Sequence, residues 1–368
     1  MTRMKSKWLI LFMVLGLVMV ACGGSDTAEE VVEVAEEPAE ELESPATTAA
    51  PTTTAGPTAS IGMVYDIGGR GDLSFNDMAY AGLERAINEL GVDGVDLEPS
   101  EGGENRAELL GLLAEQGKDL IIGVGFLFAD SITEVATANE GVNFGIVDSV
   151  VEPGNVAGMV FTEHEGSFLV GVAAGLKTTT KQVGFIGGVE FALIQKFEAG
   201  FVAGVAAACP ECTVDVKYAT VPPDFSGFNL HDKGKEIALA QYEAGADIIY
   251  HAAGGTGAGL FEAAKEVSES TGSKVWAIGV DADQYQTVSD ELKPYILTSM
   301  LKRVDNAVYL TIKAIVDGTF DVCVSLFDLS VDGVGYSTSG GYVDDIIDEL
   351  EDYKARIVSG EKVVPDTP

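Results

Sequence analysis

The chain has 368 residues, enough for about two domains at roughly 150 residues each, and 46% of them are hydrophobic. Lys and Arg number 22 against 58 Asp and Glu, a formal charge of −36, which argues against nucleic acid and against loose attraction to anionic lipid, because both demand basic side chains. Three histidines (His164, His231, His251) stand outside any HExxH or paired His/Cys spacing, so a metal centre and Ser-His catalysis are both disfavoured.

Arg3, Lys5 and Lys7 precede the apolar run 8–21, WLILFMVLGLVMVA. Fourteen helical residues rise about 21 Å, short of the ~30 Å hydrocarbon core. A basic start followed by a short apolar run predicts a secretory signal over 1–21. VMVAC followed by Gly23-Gly24 resembles a bacterial lipoprotein signal, which implies lipidation of Cys22. Residues 22–59 read as an acidic linker. Positions 23–59 hold nine acids, no base and four prolines, too little apolar surface to offset chain entropy. The remainder, 60–368, keeps 49 acids against 19 bases.

From Ile61 the pattern alternates β-branched runs with helical periods. IGMVYD (61–66) predicts a strand and 76–90 a helix. Strand 95–100, helix 104–116, strand 119–125, helix 130–139, strand 143–148, strand 156–161 and helix 164–177 complete a first half. QVGFIGG (182–188) restarts the pattern, followed by helix 194–208, strand 213–221, helix 230–244, strand 247–254, helix 258–270 and strands 274–281 and 295–301. Such alternation predicts an α/β fold with parallel βαβ units in two Rossmann-like lobes. Cys209 and Cys212 (CPEC) read as a local disulfide or as inert thiols, because zinc would need four ligands.

Ligands of open α/β sheets sit beyond the carboxyl ends of the strands. Those ends carry Asp66 with GGRGDLSFND, Gly125-Phe126, Asp148, Gly187-Gly188, Phe225 to Asn229, Gly254-Gly255, Asp281 and Lys302. Aromatics, carboxylates and one lysine from both halves are therefore expected at one cleft. Such a design suits an extracytoplasmic solute-binding protein.

VYDIGGRGDLSFND (64–77), KFEAGFVAG (196–204), KGKEIALAQYEAGADIIYHAAGGTG (233–257), GVDADQ (279–284) and TSMLK (298–302) occur in this order. Together they resemble the basic membrane protein (BMP, PnrA-like) lipoproteins, which bind purine nucleosides for ABC importers. The resemblance implies a type I periplasmic-binding-protein fold, with lobe 1 at 60–178 plus 298–320 and lobe 2 at 179–297 plus 321–368. It implies a purine held between Phe75 and Phe228, with Phe225 as the alternative second ring. Phe126 is expected to wall the same pocket. Asp66, Asn76, Asp148, Gly254, Asp281 and Lys302 are expected as polar contacts, carboxylates suiting ribose hydroxyls. Lys302 is also expected to lower the pKa of the acids around it. Hinges are expected near 177–182, 295–300 and 318–330.

The implied partners are a purine nucleoside, ABC permease subunits and the membrane, reached through the anchor. A monomer on the extracytoplasmic face, without cofactor, metal or enzymatic activity, completes the expectation. The alternative is a receptor for a sugar or another small metabolite, including one with a sensory role.

Overall fold

A computed structural model describes residues 58–100 and 102–368. The expected signal peptide, Cys22 and nearly all of the 22–59 linker lie outside the described residues.

The first sheet is built from β1 (Ser60–Val64), β2 (Asp93–Leu97), β3 (Leu120–Gly123), β4 (Asn143–Val147) and β5 (Val156–Phe161). Its helices are α1 (Phe75–Leu90), α2 (Arg106–Glu115) and α3 (Ala129–Ala138). The apolar face of α1 follows the helical period, with Ala79, Leu83 and Ala86 buried. The helix stops at Gly91, whose φ of 69° a side chain would resist. Helix α4 (Glu163–Lys177) follows, then β6 (Gln182–Val189), α5 (Ala192–Ala208), β7 (Thr213–Thr220), α6 (His231–Glu243), β8 (Ile248–Ala252), α7 (Ala258–Thr271) and β9 (Trp276–Asp281). The chain ends through α8 (Gln284–Thr287), β10 (Ile296–Lys302), α9 (Val304–Asp317), β11 (Val324–Phe327), β12 (Val334–Tyr336) and α10 (Ile347–Val358).

Two six-stranded sheets result, ordered β2-β1-β3-β4-β5-β11 and β7-β6-β8-β9-β10-β12. Every pairing is parallel except β10 with β12. The two orders match strand for strand, so the halves are architectural copies, as the restart at Gln182 predicts. This is the type I periplasmic-binding-protein arrangement of two α/β lobes.

Lobe membership differs from the expected boundaries in three places. Helix α4 packs against α5 of the second lobe, where Gly171, Gly200 and Gly204 let the backbones meet; a Cβ at any of the three would collide with a carbonyl of the other helix. Strand β10 pairs with β9 and thus joins the second sheet, while β11 extends the first. The sequence pattern places elements well but says nothing about which sheet a strand joins.

The lobe crossings shift accordingly. They fall at Thr162, at Arg303 and at 328–333, rather than near 177–182 and 295–300, and only the last expected hinge overlaps. The three crossings are cross-linked: Thr162 N donates to Phe327 O at 3.2 Å and Arg303 N to Gly333 O at 2.9 Å. Glu165 Oε2 accepts from Thr162 Oγ1 at 2.8 Å and from Leu329 N at 3.2 Å. Of the two readings of the CPEC pair, the disulfide holds: Cys209 and Cys212 are bonded. Among the described residues, no helix is long and apolar enough to cross a membrane.

Candidate functional site

The carboxyl ends of both sheets face one narrow cleft that is partly open to solvent. Asp66, Phe75, Asn76, Phe126, Asp148, Phe228, Gly254, Asp281 and Lys302 all line it, as do Asp72, Leu193, Ile194 and Phe197. All nine residues expected at the cleft are therefore brought together.

The loop after β1 is held by its own carboxylates. Asp72 accepts from the backbone N–H groups of Ser74, Asn76 and Asp77, capping α1 while also facing the cavity. Asn76 Oδ1 accepts from Asp66 N at 3.0 Å, and its Nδ2 donates to Asp72 Oδ2 at 3.1 Å. Much of Asn76's hydrogen-bonding capacity is thus spent inside lobe 1. Asp66 Oδ1 accepts from Ile67 N and from Arg106 Nη2, both at 2.8 Å. Gly125, at φ 110°, lets the backbone after β3 pass this carboxylate; a Cβ there would collide with Asp66 Oδ2.

Lys302 enters at the end of β10, 2% exposed. Its Nζ donates to Asp148 Oδ2 at 2.6 Å and stands 3.2 Å from Glu163 Oε1. The second contact lacks hydrogen-bond alignment, so among the described residues Asp148 Oδ1 and Glu163 Oε1 have no hydrogen-bond partner. Rings of Phe161, Phe75 and Phe197 lie 4.9, 5.2 and 5.5 Å from the ammonium, close enough for cation–π attraction. Burial opposes the Lys302 charge, yet Asp148, Glu163 and Asp281 outweigh it and raise the lysine's pKa.

The acids behave differently from the expectation. Burial pushes Asp281 up to about 7 and Asp148 up to about 6, although Lys302 pulls both down. Asp72 rises to about 6, again through burial. Lys302 does act in the expected direction; desolvation in a narrow cavity is simply the larger effect.

Phe228 lines the cavity, and Gly188 makes room for its ring. Phe225 does not line it. Instead it meets Phe126 and Phe191 edge-on, each at 6.0 Å. Phe126 stacks on Phe191 at 4.8 Å with an 11° interplanar angle, joining lobe 1 to lobe 2. Phe191, Glu163 and Arg106 are absent from the sequence-based set. Phe191 and Glu163 each lie two residues past a strand, β6 and β5, and so carry the same strand-end signal as the other cleft residues. Arg106 has no such signal.

Residues 59–368 match the family model for Bmp, the PnrA-like ABC transporter substrate-binding proteins. The chain belongs to this family. It is 39% identical over 318 residues to the CD4+ T-cell-stimulating antigen of Listeria innocua, covering 83% of this chain and 87% of that protein. It is 34% identical over 318 residues to the ABC transporter nucleoside-binding protein BmpA of Lactococcus lactis, covering 82% and 88%. Among solved structures, an ABC transporter solute-binding protein from Aeropyrum pernix K1 superposes with a TM-score of 0.73 at 30% identity, covering 83% and 94%. This Bmp-family chain is an ABC solute-binding protein of type I fold, and the relatives from Lactococcus lactis and Aeropyrum pernix K1 are binding proteins by name.

Proposed function

We propose that this chain is a lipid-anchored receptor that captures purine nucleosides, namely inosine, adenosine or guanosine, in its interlobe cleft and hands them to an ABC permease. One observation carries the reading: Phe75 from lobe 1 and Phe228 from lobe 2 line the same cavity, together with Asp148 and Asp281. Two rings from opposite lobes suit the two faces of a purine, and buried carboxylates suit the vicinal hydroxyls of ribose. The nucleoside-binding relative from Lactococcus lactis supports the same ligand class. Binding alone is proposed, without turnover.

Calorimetry against nucleosides, free bases and ribose tests the reading. Expected is micromolar or tighter affinity for a purine nucleoside, about −8 kcal/mol or better, with free bases and ribose far weaker. Ribose bound as tightly as inosine overturns it in favour of a sugar receptor, and release of free hypoxanthine from inosine overturns the absence of turnover. For the anchor, Cys22→Ser should release the protein from membranes with unchanged ligand affinity.

A further inference from the structure

Leu73 stands between β1 and α1 with φ +57°, a left-handed backbone that a bulky side chain adopts only under constraint. The constraint is local. Asp77 accepts from Gly71 N at 2.8 Å and from Leu73 N at 2.9 Å, and Asp72 Oδ1 accepts from Ser74 N at 2.9 Å. The result is reach across the cleft. The Leu73 side chain packs on the apolar core of lobe 2, the cluster that also takes Tyr285 and Leu292. Its carbonyl accepts from Gln284 Nε2 at 3.0 Å and Thr287 Oγ1 at 3.5 Å. The fully buried Ser74 donates to Asp281 Oδ2 at 2.6 Å.

Gln284 is itself positioned. Its Oε1 accepts from Val280 N at 2.8 Å and faces His251 Nε2 at 2.9 Å. A buried backbone N–H must find an acceptor, so Val280 orients the amide and aims Nε2 at the opposite lobe. With Oε1 as acceptor, the His251 proton sits on Nε2. Burial pulls the His251 pKa down to about 4, so the imidazole stays neutral and the arrangement holds near neutral pH. Gly279 supplies the space, since a Cβ there would stand 2.7 Å from Gln284 Oε1.

Leu73, Ser74 and Gln284 do not line the cavity. We propose that Leu73 and Gln284 form a latch that draws the lobes together independently of ligand, with Gln284 as a positioning residue for closure. This rests on the reading of the cleft as the ligand site. Apparent affinity then scales with the fraction of molecules already closed, so the latch strengthens every cleft ligand alike and selects among none.

Two variants test it. Gln284→Glu keeps an acceptor for Val280 and His251 but loses the donor to Leu73, and Leu73→Ala removes the apolar contact from the other side. Solution scattering of the ligand-free proteins should give a larger radius of gyration for both variants than for the unaltered chain, and saturating inosine should restore the compact value. Inosine and adenosine should both weaken by the same factor, about five- to tenfold, leaving their ratio unchanged. A role confined to packing lobe 2 would lower the melting temperature without expanding the ligand-free protein. An unchanged ligand-free radius in both variants overturns the latch. If the unaltered chain binds no nucleoside, the ligand reading fails, whereas the ligand-free scattering still decides the latch.

Discussion

Asp148 and Asp281 occupy the same place in the two sheets, at the carboxyl ends of the matched strands β4 and β9, and both have left-handed backbones, at φ 65° and 62°. Their partners differ. Asp148 has the Lys302 ammonium at 2.6 Å, whereas Asp281 accepts from the neutral Ser74 hydroxyl across the cleft. The repeat thus delivers two carboxylates to one cleft, of which only Asp148 is directly ion-paired among the described residues.

That asymmetry predicts a pH-dependent gain in Asp281→Asn. The folded pKa of Asp281 is about 7 against an ordinary 3.8, so between about pH 4 and 7 the folded state holds a proton that the unfolded chain has released. Stability therefore falls as pH rises through this window, and the whole cost of the buried charge is present above it. Asn keeps an acceptor for Ser74 and removes the charge. Ligand-free Asp281→Asn should be more stable than the unaltered protein by on the order of a few kcal/mol at pH 8, and by much less at pH 5. Thermal unfolding at the two pH values measures it, and an equal effect at both would refute the assignment. Inosine affinity should fall in the same variant, separating stability from binding.

The two rings should affect binding far more than folding. Phe75 and Phe228 are only half-buried and face the cavity. Each Ala substitution should weaken inosine by about ten- to a hundredfold, the range of one lost stack at roughly 1–3 kcal/mol. The ligand-free melting temperature should move little. A loss of roughly 3–5 kcal/mol in ligand-free stability, typical of a core phenylalanine, would show that the ring is structural.

Much of this site is legible in the sequence because Asp66, Phe126, Asp148, Gly254 and Asp281 close or directly follow apolar runs such as DLIIGVG and NFGIVD, and a parallel sheet aims every such end at one edge. Val and Ile runs mark buried strands, and the next polar residue marks the cleft. Lobe membership is not legible in the same way. Strand β10 reads identically whichever sheet it joins, and the choice is made by pairing with β9. Strands β11 (VSLF) and β12 (VGY) are edge strands of four and three residues, and β11 is largely exposed, so neither stands out as a long buried run. Arg106 escapes for another reason: it opens a helix 40 residues after Asp66, and only the fold makes them neighbours.

That pair makes its own prediction. Arg106 is buried, donates to Asp66 Oδ1 and to Gly103 O, and lies over the Phe128 ring at 5.3 Å. Arg106→Met leaves the Asp66 carboxylate buried without its ion partner, which should cost about 3–5 kcal/mol. Adding Asp66→Asn removes the stranded charge and should recover most of that loss. Urea unfolding of both single variants and the double variant measures the coupling. Simple additivity would show that the two side chains do not depend on one another.

Finally, the charge of the cavity sets a boundary on its ligands. Asp66, Asp72, Asp148 and Asp281 line it, and Lys302 is the only base among the described lining residues. The lysine already faces Asp148 and Glu163, and Arg106 is committed to Asp66. A 5′-phosphate carries about −1.5 to −2 charges at neutral pH and would find no free cation there. Two like charges about 6 Å apart at an effective dielectric of about 20 repel by roughly 3 kcal/mol, which corresponds to more than about a hundredfold in affinity. Inosine monophosphate should therefore bind at least about a hundredfold more weakly than inosine, and added salt should recover little because the acids are buried. Calorimetry of the two ligands side by side, at low and high salt, decides it. Comparable affinities would mean that the phosphate stays in solvent outside the cleft, and the charge argument would fail.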